Sequence, residues 1–293
     1  MNKLLGLVTA STIASAAIAV TPFSVEARIG LSFLDSFGGS ADGIVYNPVT
    51  NTIFGLDTEL LSPPPNVVTE WEATEYDLFG EELSSFTSDV VPAVLGGAAL
   101  PSGNLLVVFP GGGRVVELTP DGETVVGGVD FASDDIFHLR PRGLEINPDN
   151  SLSILGSAGT ILNVDLTGNI NSTFDISGAL PPDSSVQGIA IDPVTGNYLI
   201  ADQFEGNSSI YEVSPLGELI TTINDLGGFG DPEGLSFNPS TRNLYVAFDD
   251  DAPDGGRIAV FAVEKVPEPT SLLALITLGT FGISSALKRN RFE

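Results

Sequence analysis

An all-β fold, a ring of five four-stranded blades forming a β-propeller, is predicted by three features of this sequence. A glycine-led unit recurs at a near-constant interval, each unit holds short apolar runs separated by turn residues, and a lone strand pattern precedes the first unit. No stretch between residues 28 and 266 carries a long apolar stripe at the helical period, which removes the helical-repeat alternative.

The unit reads Gly, apolar, variable, apolar, Asn or Asp, Pro. It appears as Gly43-Ile-Val-Tyr-Asn-Pro48, Gly143-Leu-Glu-Ile-Asn-Pro148, Gly188-Ile-Ala-Ile-Asp-Pro193 and Gly234-Leu-Ser-Phe-Asn-Pro239. A worn copy, read as Gly97-Ala-Ala-Leu-Pro-Ser102, fills the gap after the first. The five starts are then separated by 54, 46, 45 and 46 residues. Within the unit that begins at Gly188, strand patterns follow over 188–191, 198–201, 209–213 and 219–223, with turns at Val194-Thr-Gly-Asn197 and Pro215-Leu-Gly217. The last unit has room for only three strands, ending near Val263. The lone strand at Ile29 to Phe37 supplies the fourth, which closes the ring and leaves no free sheet edge. This arithmetic favours five blades, with six as the alternative count.

The ends carry patterns of their own. Lys3, the uncharged run Leu4 to Val20, and the small residues Val25 and Ala27 predict a signal peptide over residues 1–27, cut after Ala27. At the other end, Val266-Pro267-Glu268-Pro269 precedes a charge-free run over 270–287. The basic end 288–291 follows, with Lys288, Arg289 and Arg291. At the helical rise the run covers about 27 Å, enough for one membrane span. The cations behind it favour the cytoplasmic side, so the domain over residues 28–265 is expected outside.

Between the ends, over 28–266, seven Lys or Arg face 35 Asp or Glu. A field of that sign repels phosphate backbones, so no nucleic-acid partner is expected, and divalent cations are the natural counterions. The absence of cysteine excludes disulfides, thiolate metal sites and cysteine nucleophiles.

The three-part C-terminal arrangement over 266–293 resembles the PEP-CTERM sorting tail, which in Gram-negative bacteria is read by a membrane transpeptidase of the exosortase type. The resemblance implies that transpeptidase as a partner and an intermediate anchored in the inner membrane. Cleavage near Pro267-Glu268-Pro269 then delivers the domain to the cell surface or the extracellular matrix, where polysaccharide or an envelope protein is its expected contact. Separately, Gly188-Ile-Ala-Ile-Asp-Pro with Asn197-Tyr-Leu-Ile-Ala-Asp202, and Gly234-Leu-Ser-Phe-Asn-Pro with Asn243-Leu-Tyr-Val-Ala, resemble the NHL and gluconolactonase-like propeller group. Most members of that group have six blades, and the count here departs from them.

In a propeller, the residues just before the repeat glycines ring the mouth of the axis. They are Asp42, Gly96, Arg142, Gln187 and Glu233. The second resemblance implies cation ligands at such strand-start positions, and Asp42, Gln187 and Glu233 match them with oxygen donors suited to Ca2+ or Mg2+. Arg142 opposes a cation there unless it pairs with Glu233 or binds an anionic group of a ligand.

Asp57, Asp202 and Asp249 recur where second strands end and are expected to cap turns. The denser run from Asp249 to Asp251, with Asp254, lacks the spacing of an EF-hand loop. An insertion, Glu59 to Glu72, holds Pro63-Pro64-Pro65 and ends near Trp71, which either contacts a ligand on that face or closes the blade. His138 is the single histidine, no serine elbow accompanies it, and Gly111-Gly112-Gly113 reads as a hairpin turn. The expected function is therefore a surface- or matrix-associated binding or scaffold protein. The competing reading is a divalent-metal-dependent hydrolase of lactonase or phosphoesterase type.

Overall fold

The computed structural model describes residues 28–39, 41–58, 71–88, 94–108, 114–131, 139–203, 208–248 and 256–266. The expected signal peptide with Ala27, the tail from Pro267 onward, the insertion up to residue 70, the triple glycine, His138 and Asp249 lie outside these residues.

Twenty strands form five four-stranded antiparallel sheets. Blade 1 is β2 (Gly43–Asn47), β3 (Thr52–Asp57), β4 (Trp71–Tyr76) and β5 (Glu82–Ser88). Blade 2 is β6 (Gly96–Ala99), β7 (Leu105–Val108), β8 (Arg114–Leu118) and β9 (Val125–Asp130). Blade 3 is β10 (Pro141–Ile146), β11 (Leu152–Gly156), β12 (Thr160–Val164) and β13 (Ile170–Asp175). Blade 4 is β14 (Val186–Ile191), β15 (Tyr198–Asp202), β16 (Ser209–Val213) and β17 (Leu219–Ile223). Blade 5 takes β18 (Pro232–Asn238), β19 (Asn243–Phe248) and β20 (Arg257–Val266), and its outer strand is β1 (Arg28–Gly38). The chain thus closes the ring with its own first strand, as the lone strand pattern predicts. Strand β20 runs on to Val266, which pairs with Arg28.

The first strand of each blade is innermost, and glycine makes the ring close. A Cβ on Gly43 would lie 3.1 Å from the Leu95 carbonyl oxygen, and one on Gly96 would lie 2.7 Å from that of Arg142. On Gly143 it would meet the Ile189 amide nitrogen at 2.9 Å, and on Gly234 the Ile44 amide nitrogen at 2.6 Å. On Gly188 it would be driven into the Glu233 carbonyl. Each glycine therefore touches the backbone of the next blade, round the whole ring. Only a residue without a side chain allows that approach.

The same contacts correct the register of the worn copy. Its ring glycine is Gly96, not Gly97, because Gly96 faces Gly143 while Gly97 packs on Val45 and Leu56 side chains. The unit then reads Gly96-Gly-Ala-Ala-Leu-Pro101, and its proline falls in step with Pro48, Pro148, Pro193 and Pro239. The mouth residue of blade 2 is consequently Leu95.

Five core clusters fill the five seams between neighbouring blades. Val45, Phe54, Leu56 and Trp71 pack with Leu105, Val107 and Leu118 between blades 1 and 2. Ala98 and Leu106 meet Leu144 and Ile154 between blades 2 and 3. Leu155 and Ile161 meet Ile189 and Tyr211 between blades 3 and 4. Leu199 and Ile210 meet Leu235 and Phe248 between blades 4 and 5. Ile44 and Ile53 meet Tyr245 and Ile258 where the ring closes. Inner strands are covered on both faces, which is why they read as continuous apolar runs and not as alternation.

Two of the residues before the prolines, Asn47 and Asp192, tie adjacent blades. Asn47 donates from Nδ2 to the Gly103 carbonyl of blade 2 at 3.1 Å. Asp192, fully buried, accepts from Arg242 of blade 5 at 3.0 Å and 2.5 Å. Burial alone would raise the Asp192 pKa, but bonds from Arg242, the Val194 amide and Thr195 outweigh it and hold the carboxyl below its ordinary range. At the closing seam, Ser236 Oγ accepts from the Tyr46 amide at 2.9 Å. Buried Glu212 accepts from the Ile29 amide at 3.0 Å and from Asn197 at 2.7 Å, tying β1 to blade 4.

Two outcomes follow for stability. Gly188→Ala forces a methyl group into the blade 5 backbone and should cost about 3 kcal/mol or prevent folding, whereas Gly178→Ala, where a Cβ meets nothing within 4 Å, should change urea unfolding by less than about 0.5 kcal/mol. Arg242→Ala strands the buried Asp192 carboxylate and should lower stability by about 3 kcal/mol in the same measurement. Adding Asp192→Asn should recover part of that loss.

Candidate functional site

The axis itself offers no room. The ring glycines, with Ile44, Leu144, Ile189 and Leu235, enclose a cavity of about 10 Å³, at the lower limit of roughly 10–15 Å³ for a single water. A substrate cannot sit there. Any site on the axis is confined to its rim, where the inner strands begin.

At that rim, three inner strands carry a bulge. One extra residue is inserted between Pro141 and Gly143, between Val186 and Ile189, and between Pro232 and Leu235. Arg142, Gln187 and Glu233 sit in these bulges, all half-buried. β2 and β6, by contrast, pair regularly from their ring glycines. Bulges re-aim side chains beside sites, so three of the sequence-predicted mouth residues, Arg142, Gln187 and Glu233, occupy backbone that departs from the regular ladder. The structure brings Asp42, Arg142, Gln187 and Glu233 to one rim, joined by apolar Leu95.

Asp42 and Gln187 already have work in the fold. Asp42 Oδ2 accepts from the Thr58 amide at 3.0 Å, joining the start of β2 to the end of β3. Gln187 Nε2 donates to Gln203 Oε1 at 2.7 Å and to Ser185 Oγ at 3.3 Å. Arg142 makes no hydrogen bond or ion pair among the described residues. Those residues hold no cluster of three His, Cys, Asp or Glu side chains. A cation at the rim would draw on Asp42, Gln187 and Glu233 together with backbone carbonyls such as that of Leu95. Alongside, a pocket of about 190 Å³ opens between the β11–β12 turn and the chain entering β14, lined by Ser157, Ser177, Asp183 and Ser184.

The other predicted positions resolve differently. Asp202 is buried and accepts from the Ser185 amide at 2.6 Å and from Tyr211 Oη at 2.8 Å. It ties the start of β14 to β16. Asp57 is half-buried and stands opposite Glu72 on β4. Trp71 is buried, edge-on to Phe86 at 5.7 Å, so it closes the seam between blades 1 and 2 and offers no ligand surface. Its indole Nε1 has no hydrogen-bond partner among the described residues. Val266 ends β20, directly ahead of the expected processing sequence.

One polar feature was missed from the sequence. Glu145, Ser153, Asn163 and Ser172 stand directly opposite one another across the four strands of blade 3. The equivalent first-strand positions hold Val45, Ala98, Ala190 and Ser236, which turn toward the following blade. Burial pushes the Glu145 carboxyl up to about 8, although it accepts from the Ile146 amide. The residue as a whole keeps some exposure, but its carboxyl is desolvated. A single polar letter inside Gly-Leu-Glu-Ile-Asn-Pro was the available sign.

No protein-family description matches this sequence, and no curated protein does. Solved structures resemble it in shape. Virginiamycin B lyase from Staphylococcus aureus is 16% identical, covers 75% of this chain and 82% of its own, and superposes with a TM-score of 0.41. The aldose sugar dehydrogenase of Streptomyces coelicolor is 14% identical over 81% of this chain and 99% of its own, with a TM-score of 0.46. A luciferin-regenerating enzyme is 16% identical over 82% and 96%, with a TM-score of 0.48.

Glu145 gives stability a pH dependence. Its folded-state pKa of about 8 lies above the ordinary 4.5, so its contribution is intact below about 4.5 and lost as pH rises through about 8. Urea midpoints measured across that window should fall with pH in the native protein. In Glu145→Gln that component of the fall should disappear.

Proposed function

We propose that this propeller works outside the cell as a non-enzymatic binding or scaffold module whose acidic rim takes up divalent cations and, with them, an extracellular polymer or envelope protein. The observation that carries this reading is the sealed axis, which leaves a substrate-sized ligand only the rim and the seams. Asp42, Gln187 and Glu233 would hold the cation, with Ca2+ favoured by the hard oxygen donors and by the surplus of carboxylates. Arg142, in the same ring, would take an anionic group on the partner.

Export supports the same reading. Cleavage after Ala27 leaves Arg28 as the first residue of β1, so the closing strand survives removal of the signal peptide. Processing near Pro267-Glu268-Pro269 falls just past Val266, the last residue of β20. Both cuts therefore flank the Arg28–Val266 pair and spare the ring.

Calorimetric titration of the 28–266 propeller with CaCl2 should give saturable binding, and a variant with Asp42, Gln187 and Glu233 all changed to Ala should lose it. Unchanged heats in the triple variant would rule out the rim as the site. Hydrolysis of lactones or phosphoesters that requires the metal and vanishes in the triple variant would overturn the non-enzymatic reading.

A further inference from the structure

On the face opposite the rim, a pocket of about 360 Å³ opens between blades 3 and 4. Its walls include Asn147, Asp149, Asn163, Ser172, Gly196 and Tyr198. Three blades share one turn at this level: Asn47-Pro-Val-Thr-Asn51, Asp192-Pro-Val-Thr-Gly196 and Asn238-Pro-Ser-Thr-Arg242. In each, the last residue is left-handed, with φ of 57°, 74° and 61°, and its amide bonds back to the carbonyl of the first. Asn51, Gly196 and Arg242 are thus the same position in successive copies.

That position faces the preceding blade. Arg242 crosses the seam between blades 4 and 5 to the carboxylate of Asp192. Asn51 accepts from Tyr46 Oη at 2.8 Å, and Tyr46 stacks on Tyr245, filling the closing seam. Between blades 3 and 4 the pair is Asn147 and Gly196. A Cβ on Gly196 meets nothing within 4 Å, and the space that the Arg242 side chain occupies one seam further on is open.

The walls suit a guanidinium. Asp149 lies two residues beyond Asn147, and hydrogen bonds from Ser151 hold its carboxyl below its ordinary range. Deeper in, Ser153 Oγ donates to Asn163 Oδ1 at 2.7 Å, and the Tyr198 hydroxyl lies 3.3 Å from Ser153 Oγ. Asn163 and Ser172 of the polar row of blade 3 line the pocket, and buried Ser153 stands behind them, where the corresponding second-strand positions in the other blades are Phe54, Leu106, Leu199 and Tyr245. Oxygen acceptors and a carboxylate gathered at the seam between two sheets are what a guanidinium recognises.

We infer that the seam between blades 3 and 4 is a binding pocket for the arginine side chain of a protein or peptide partner, seated as Arg242 is seated one blade further on. The pocket lies on the face away from the cation rim, so its test is separate from that of the rim.

Titration of the 15N-labelled protein with Nα-acetyl-arginine amide should give saturable shifts at Asn147, Gly196 and Tyr198, and the isosteric citrulline amide should not. Gly196→Arg fills the pocket from within and should abolish these shifts. Gly228→Arg adds the same charge at a remote left-handed turn, where a Cβ also meets nothing within 4 Å, and should leave them. Asn147→Asp, which restores the Asp192 pattern, should tighten binding by about fivefold. Equal shifts with citrulline amide or glucose, undiminished binding in Gly196→Arg, or no saturable shift with the arginine amide would each overturn the proposal.

Discussion

Contact between the backbones of the five innermost strands is the constraint from which the rest of the molecule follows. Gly43, Gly96, Gly143, Gly188 and Gly234 allow each strand to meet the next with no side chain between. Sheets that touch at the axis must diverge as they run outward, and the wedges between them have to be filled. That is the work of the five seam clusters, and it explains why aromatic and branched side chains dominate the second and third strands. It also settles what the axis can do, because a ring drawn in this tightly encloses about 10 Å³.

A propeller with a sealed axis places its chemistry at the rim or in the seams. The rim gathers bulged residues of both charges, and three of its positions provide oxygen. The seams are mostly apolar, with buried polar groups paired across them, as in Asp192 with Arg242 and Glu212 with the Ile29 amide. Blade 3 departs from that plan. Its Glu145 and Ser153 stand where blades 1, 2 and 4 carry Val45 and Phe54, Ala98 and Leu106, and Ala190 and Leu199. Polar groups cost stability when enclosed and are kept where they do something else.

Closure by β1 makes the two ends of the propeller neighbours, with Arg28 opposite Val266. A chain trimmed at both ends keeps all twenty strands, and the cysteine-free body draws its stability from its seams. The 35 acids and seven bases of this body give it a strongly negative field that acts mainly at long range.

Much of the fold was legible in the sequence because a propeller repeats its solution: the glycine, the Asn or Asp, and the proline each recur for a fixed geometric reason. The blade count, the four strands per blade and the closing strand all come from that periodicity. Gly96 was misread by one place because Gly96-Gly97 offers two glycines, and only the contact with Gly143 distinguishes them. The candidate rim was legible as positions, since strand starts in a repeat share one face. Its bulges, the bonds of Asp42 and Gln187, and the burial of Trp71 were not, because each depends on a neighbour distant in the chain. Local pattern alone determined which residues are equivalent from blade to blade. The packing of one blade against the next decided which of them face a partner, which face solvent, and which, like Gly196, face an opening.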